Sequence, residues 1–256
     1  MIKRLSLIIT AIICFFTASA QNWGGGIDDE DIHFGFSFQY LSAEFKLIKN
    51  PNWRAPYFDP IDGAQVSMPL LSISSQPSPG FGLGFVFNKR FSENLDARVT
   101  PSLVFSDRIV SYEYENAPPE LVNHNGITTN YPTLIDKKIQ ATMFEFPAGI
   151  KLKSNRLHNF RAYMLGGVKY SIDIASKKKT YDEGETAMNK FLKSKRNYLS
   201  YEAGIGFDLY FEYFKMSPEL KLSYSPNSLL QQENNAFSTP INKMMLRQFT
   251  FSLFFE

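Results

Sequence analysis

The sequence predicts an all-β fold: an eight-stranded up-and-down antiparallel transmembrane β-barrel with long extracellular loops and short periplasmic turns. Three observations predict it. Eight segments alternate apolar and polar side chains with a period of two, the signature of strands with one face in an apolar medium. The connections between them are long and short in turn, as in outer-membrane barrels. The last segment is aromatic and closes Phe254-Phe255-Glu256, an ending common in such barrels except for the final Glu.

Ahead of the barrel, Lys3 and Arg4 precede an apolar run from Leu5 to Phe16 and then Ala18-Ser19-Ala20. Residues 1–20 are therefore expected to be a removable secretory signal. The single cysteine, Cys14, lies inside this run, so the mature chain is expected to hold neither a disulfide nor a thiol nucleophile. Without Lys3 and Arg4, the 27 basic residues fall to the number of acidic ones, 25. That balance argues against nucleic acid as a partner. Residues 21–31, with Trp23, Asp28, Asp29, Glu30 and Asp31, read as an acidic periplasmic arm open to a partner, and residues 32–256 as the barrel.

The first strand alternates Phe34, Phe36, Phe38 and Tyr40 with Gly35, Ser37 and Gln39; the second sets Phe81, Leu83, Phe85 and Phe87 against Gly82 and Gly84. The third sets Leu95, Ala97, Val99, Leu103 and Phe105 against Asp96, Arg98 and Thr100. In the fourth, Phe144, Phe146, Ala148, Ile150 and Leu152 oppose Glu145 and Lys151; in the fifth, Phe160 to Ile172 opposes Arg161, Lys169 and Asp173. The sixth, Leu199 to Phe211, opposes Glu202 and Asp208; the seventh, Phe214 to Tyr224, opposes Lys215, Glu219 and Lys221; the eighth sets Phe249 to Phe255 against Thr250 and Ser252. Each is close in length to the ~9–11 residues that a tilted strand needs to cross a bilayer. A soluble sandwich would alternate too, but would not combine this strand length, this connection rhythm and this ending.

With the N-terminus inside, the long connections Ile48 to Gln76, Glu113 to Lys138, Ser176 to Arg196 and Pro226 to Lys243 face out. The third is basic, with Lys177 to Lys179, Lys190, Lys193, Lys195 and Arg196, which suits a solvated loop near anionic headgroups. The polar faces then line the lumen. There Asp96, Glu145, Asp173, Glu202, Asp208 and Glu219 match Arg98, Lys151, Arg161, Lys169, Lys215 and Lys221. Such a set predicts an ion-paired structural plug, because unpaired charges in a narrow interior cost several kcal/mol each, and eight strands enclose just enough room for side chains. Arg98 and Glu145 are expected to face each other on adjacent strands. Gly82, Gly84, Gly204 and Gly206 are expected to make room for the long charged chains. Pro101, Pro147 and Pro218, which lack a ladder donor, are expected at bulges in the periplasmic half.

No catalytic, metal or cofactor site is expected. His33, His124 and His158 have no ligand-spaced partners. A lipid-modifying barrel enzyme would need a base at the outer rim, and His124, the one candidate, has no Ser or Asp tied to it by a motif. Gly80-Phe81-Gly82-Leu83-Gly84 lies in a strand with no helix after it, so it is not a phosphate loop. Asp28 to Asp31 lack the alternating spacing of a calcium loop. Outer-membrane lipid is the expected partner, and no small-molecule substrate is expected.

The stretch Asn22 to Pro60, with Asp31-Ile32-His33-Phe34-Gly35-Phe36 and Pro51-Asn52-Trp53-Arg54, resembles the start of the mature PorT/SprT proteins of Bacteroidota. The resemblance implies an outer-membrane barrel of the type IX secretion system, which exports cargo bearing a conserved C-terminal domain and in some members supports gliding. It implies contacts with other secretion components, with Trp53 and Arg54 joining the arm as candidate partner-binding residues, and it brings no catalytic residues. The competing expectation is a structural or adhesive barrel whose long loops bind an external ligand.

Overall fold

In the computed structural model the described residues are 31–59, 63, 65–118, 121–122, 128–129, 131–174, 182 and 185–256. The expected signal, Trp23, Asp28, Asp29, Glu30, His124 and Lys177 to Lys179 lie outside them. Every long element among the described residues is a strand: β1 (Ile32–Lys49), β2 (Leu70–Gln76), β3 (Ser78–Ser92), β4 (Leu95–Val99), β5 (Ser102–Tyr114), β8 (Leu134–Lys153), β9 (Phe160–Asp173), β10 (Asn197–Tyr210), β11 (Lys215–Tyr224) and β12 (Ile241–Phe255). A two-residue hairpin of β6 (Leu121–Val122) and β7 (Thr128–Thr129) sits in the second long connection. β2 and β3 follow one another around Pro77 as one staff of the wall, and β4 and β5 do so around Thr100-Pro101. The ring is thus eight staves, all antiparallel, closed where β1 pairs with both β12 and β3.

Closure removes the sheet edges that would otherwise expose unpaired backbone groups to lipid. Alternation then sorts the side chains. On β10, Leu199, Tyr201, Ile205 and Phe207 are exposed, while Tyr198, Ser200, Glu202, Asp208 and Tyr210 are buried inside. The exposed set continues around the wall through Phe34, Phe36, Phe38, Tyr40, Phe81, Leu83, Phe85, Phe146, Ile150, Met164, Val168, Leu220, Leu222, Phe249 and Phe251. That belt is the lipid-facing band of a membrane barrel. Neighbouring staves also contact each other through rings, as in Phe36 against Phe255 and Phe81 against Phe105.

Several details differ from the sequence expectation. β1 has 18 residues and β8 has 20, more than the bilayer requires, so the barrel stands above the membrane on the side of the long connections. The first connection is shorter than Ile48 to Gln76 for the same reason: Leu70–Gln76 already forms β2 and pairs with β5. None of the three prolines sits at a bulge. Pairing runs unshifted from Val99 to Ser102 beside Pro101, through Pro147 opposite Lys169, and through Pro218 opposite Leu253. Each proline needs to lose only its own donor. The carbonyls still serve the ladder, Pro101 O accepting from Phe85 N and Pro147 O from Thr100 N. The ladder shifts register elsewhere, at Ile48/Lys49, Leu70/Ser72 and Arg90/Ser92.

Candidate functional site

The interior has two layers of opposite chemistry. In the periplasmic half the inner faces of β4, β8, β9, β10 and β11 bring charged side chains together. Arg98 donates to Glu219 Oε2 at 2.8 Å and lies 3.4 Å from Glu256 Oε1. Lys215 Nζ reaches Glu256 Oε2 at 2.9 Å, Lys151 Nζ reaches Asp208 Oδ1 at 2.7 Å, and Ser217 donates to the same Asp208 oxygen. Above this cluster Lys169 bridges Glu145 (3.0 Å) and Glu202 (3.5 Å), while Lys221 reaches Glu202 at 3.1 Å. Lys153 pairs with Asp96 at 2.7 Å nearer the periplasmic turn.

These pairs hold six carboxylates and six cations, so the lumen plug is neutral. All twelve side chains are nearly inaccessible, and dry charges of this kind are tolerated only when paired and hydrogen-bonded. The void between the two clusters, bounded by Arg98, Thr100, Glu202, Glu219 and Lys221 among others, is about 10 Å³. That is room for about one water molecule. Solutes do not pass at this level.

Some placements differ from the sequence reading. Arg98 does not pair with Glu145; its partners come from across the lumen, and Glu145 takes Lys169 instead. Asp173 is buried, and its carbonyl accepts from Arg196 Nε; Arg161 is half-buried near the periplasmic turn. Gly206 makes room for the Tyr163 ring rather than for a charged chain. Tyr163 is the centre of the lower cluster: its hydroxyl donates to Glu219 at 2.9 Å, and Lys151 Nζ lies 3.9 Å from its ring centroid. The sequence reading names neither Tyr163 nor Lys153, and treats Glu256 only as the unusual end of the last strand. Parity alone finds them, since each continues the inner-face series of its strand.

The extracellular half of the interior is mainly apolar, around a buried Arg108 that donates to Tyr198 Oη at 3.2 Å. Leu41, Ala43, Phe45, Leu70, Val104, Val110, Ile139, Met143 and Leu246 of the wall pack against Val66, Met188, Leu192, Leu229, Leu230 and Phe237 of the long connections. The connections therefore fold into the barrel mouth as a cap instead of standing free as polar loops. The fourth is its hub. Tyr112 Oη donates to Phe237 O at 2.7 Å, Tyr57 Oη to Asn234 O at 2.9 Å, and Lys195 N to Leu229 O at 2.7 Å. At the surface Lys193 Nζ joins Asp182 (2.5 Å) in the third connection to Glu233 (3.2 Å) in the fourth. Burial alone would raise the Asp182 carboxyl and lower the Lys193 ammonium. The hydrogen bonds between them, with the Phe191 N–H on Asp182 and Glu233 on Lys193, outweigh that and hold Asp182 below and Lys193 above their usual ranges.

Of the candidate contact residues, Asp31 is exposed beside the start of β1, its carbonyl accepting from Arg90 N. Trp53 packs partly against the cap core with Lys49 Nζ 3.9 Å over its ring, and Arg54 stays exposed beside it. His158 occupies the turn between β8 and β9 with φ 56°. Among the described residues no group of His, Cys, Asp and Glu is arranged to hold a metal ion.

A closed ring of tilted strands, with aromatic and aliphatic side chains outside and a packed polar and apolar interior, defines an outer-membrane barrel. Residues 31–231 match the family described as outer membrane protein beta-barrel domain, and the chain belongs to that family. It is an outer-membrane β-barrel protein. Among solved structures it is similar to the outer membrane protein OprG from Pseudomonas aeruginosa, with 15% identity over 88% of this chain and 92% of that one and a TM-score of 0.42. It is also similar to Neisserial surface protein A, with 7% identity over 88% and 98% and a TM-score of 0.37. The attachment invasion locus protein Ail of Yersinia pestis, solved with the heparin analogue sucrose octasulfate, shows 12% identity over 88% and 99% and a TM-score of 0.36. No curated protein sequence matches the chain.

Proposed function

We propose that this barrel is a closed accessory or assembly component of the type IX secretion system, without catalytic activity or cofactor. In this reading residues 1–20 are removed on export, the long connections face out, and the arm with Trp23, Asp28, Asp29, Glu30 and Asp31 contacts other secretion components from the periplasmic side. The observation that carries the reading is the likeness of Asn22 to Pro60 to the PorT/SprT proteins. A lumen filled with ion pairs and capped by apolar side chains supports an accessory role, since folded cargo needs a wide aqueous path that eight strands do not enclose.

The test is deletion of the gene with a reporter carrying a type IX C-terminal domain, complemented by the full chain or by one lacking Trp23 to Asp31. Cargo is expected to accumulate in the periplasm and to be released only by the full-length copy. Normal secretion in the deletion strain would refute the secretion role and turn attention to the outer cap as a binding surface.

A further inference from the structure

On the outer wall, where β10, β11, β12 and β1 lie side by side, the lipid-facing surface is not flat. Tyr201, Tyr224, Arg247 and Glu44 are successive cross-strand partners, and one step toward the periplasm come Ala203, Leu222, Phe249 and Ser42. The small side chains Ala203 and Ser42 leave a depression between the larger ones, with a volume of about 660 Å³. That is within the ~300–1,000 Å³ of ligand pockets. Its walls belong to the lipid-facing belt: Tyr201 is 57% and Leu222 63% exposed. An occupant therefore meets apolar surface below.

Above the depression the wall turns basic. Arg247 is exposed beside Glu44 at 3.8 Å, and Lys46 and Lys243 follow on the same outer face, opposite Met245 and Ile48. Three cations thus stand over one carboxylate. On β5 and β8 the same zone has the reverse balance: Lys138, paired with Asp107 at 2.7 Å, stands among Asp107, Asp136 and Glu113. Of these two faces, the one that carries the depression holds the excess of positive charge.

We propose that this face is a specific site for an outer-leaflet lipid with a phosphorylated headgroup. An acyl chain lies in the depression between Tyr201, Leu222, Tyr224 and Phe249, and the phosphate meets Arg247, Lys46 and Lys243. Burial of the chain and charge complementarity act on two parts of one molecule, which water-soluble anions and neutral lipids cannot offer together. With the long connections outward, as adopted above, the cations sit at outer-leaflet headgroup height.

The test is native mass spectrometry of the full-length protein in mild detergent, titrated with bis-phosphorylated lipid A and separately with the same lipid stripped of its phosphates. The wild type is expected to retain one phosphorylated lipid and to lose the stripped one. In K46Q/K243Q/R247Q, retention is expected to weaken by about fivefold for each cation removed, while K138Q stays as wild type. A203F, which fills the depression, is expected to lose the lipid with its cations intact. Equal retention of the two lipids by the wild type would overturn the site without reliance on any variant. So would a K46Q/K243Q/R247Q variant that binds normally, or a polypeptide held on this face in place of lipid and released by A203F.

Discussion

Arg98 shows how much a single residue decides in this lumen. Its guanidinium, 2% exposed, serves Glu219 and Glu256 while lying 4.6 Å from the Phe254 ring centroid, and Asn88 accepts from its Nε at 2.9 Å. The planar fork of Arg can bind partners in several directions at once, which the point charge of Lys cannot. Arg98→Met leaves two carboxylates short of a partner in a dry interior, so it is expected to cost about 3–5 kcal/mol. Adding Glu219→Leu should recover part of that loss. Urea titration of the folded, heat-modifiable band in lipid measures both. A single variant as stable as the wild type would remove the network's structural weight. Glu256 adds that the last side chain is part of the seal: Asn88, Lys215 and Arg98 all reach it, and its backbone pairs with Lys215 in both directions.

At the scale of elements, the long connections differ from the polar loops that their composition suggests. Met188, Leu192, Leu229, Leu230 and Phe237 recur without a regular period among mostly polar connection residues, so no sustained strand or helix pattern marks them as core. The barrel mouth gives them a common apolar surface, and the surface clamp of Lys193 with Asp182 and Glu233 fixes the third connection over the fourth. The clamp has a definite pH window. Asp182, held below its usual 3.8, contributes stability above that value and loses it as pH falls through its folded value. Lys193, held above 10.5, contributes below that value and loses it as pH rises through its folded value. The clamp is therefore complete at neutral pH. A nitroxide at Glu185→Cys should be immobile at pH 7, gain a mobile component as the pH falls below about 4, and show that component at pH 7 in an Asp182→Asn background. An unchanged spectrum in that background would mean that the apolar contacts alone hold the connection.

For the whole molecule, two seals in series close the interior: the ion-paired layer toward the periplasm and the apolar cap toward the outside. Each blocks the lumen by itself. The protein in a planar bilayer should show no conductance steps. Replacing residues 226–239 by a short turn should remove the cap yet leave the bilayer silent, because the charged layer remains. Steps in the intact protein would contradict the sealed interior, and steps only after the replacement would make the cap the one barrier.

The sequence alone determined which side chains face lipid and which face inward, because a strand's period of two is local and every staff carries it. The eight strands, their order and the matched sign of the inner charges follow from that periodicity. Tertiary structure alone decided the partners. Arg98 meets Glu219 from 121 positions away, and whether it meets Glu219 or Glu145 depends on the tilt and stagger with which the ring closes, a property of all eight staves together. It also decided that the outer loops turn inward: their apolar residues become a core only when a closed wall stands around them.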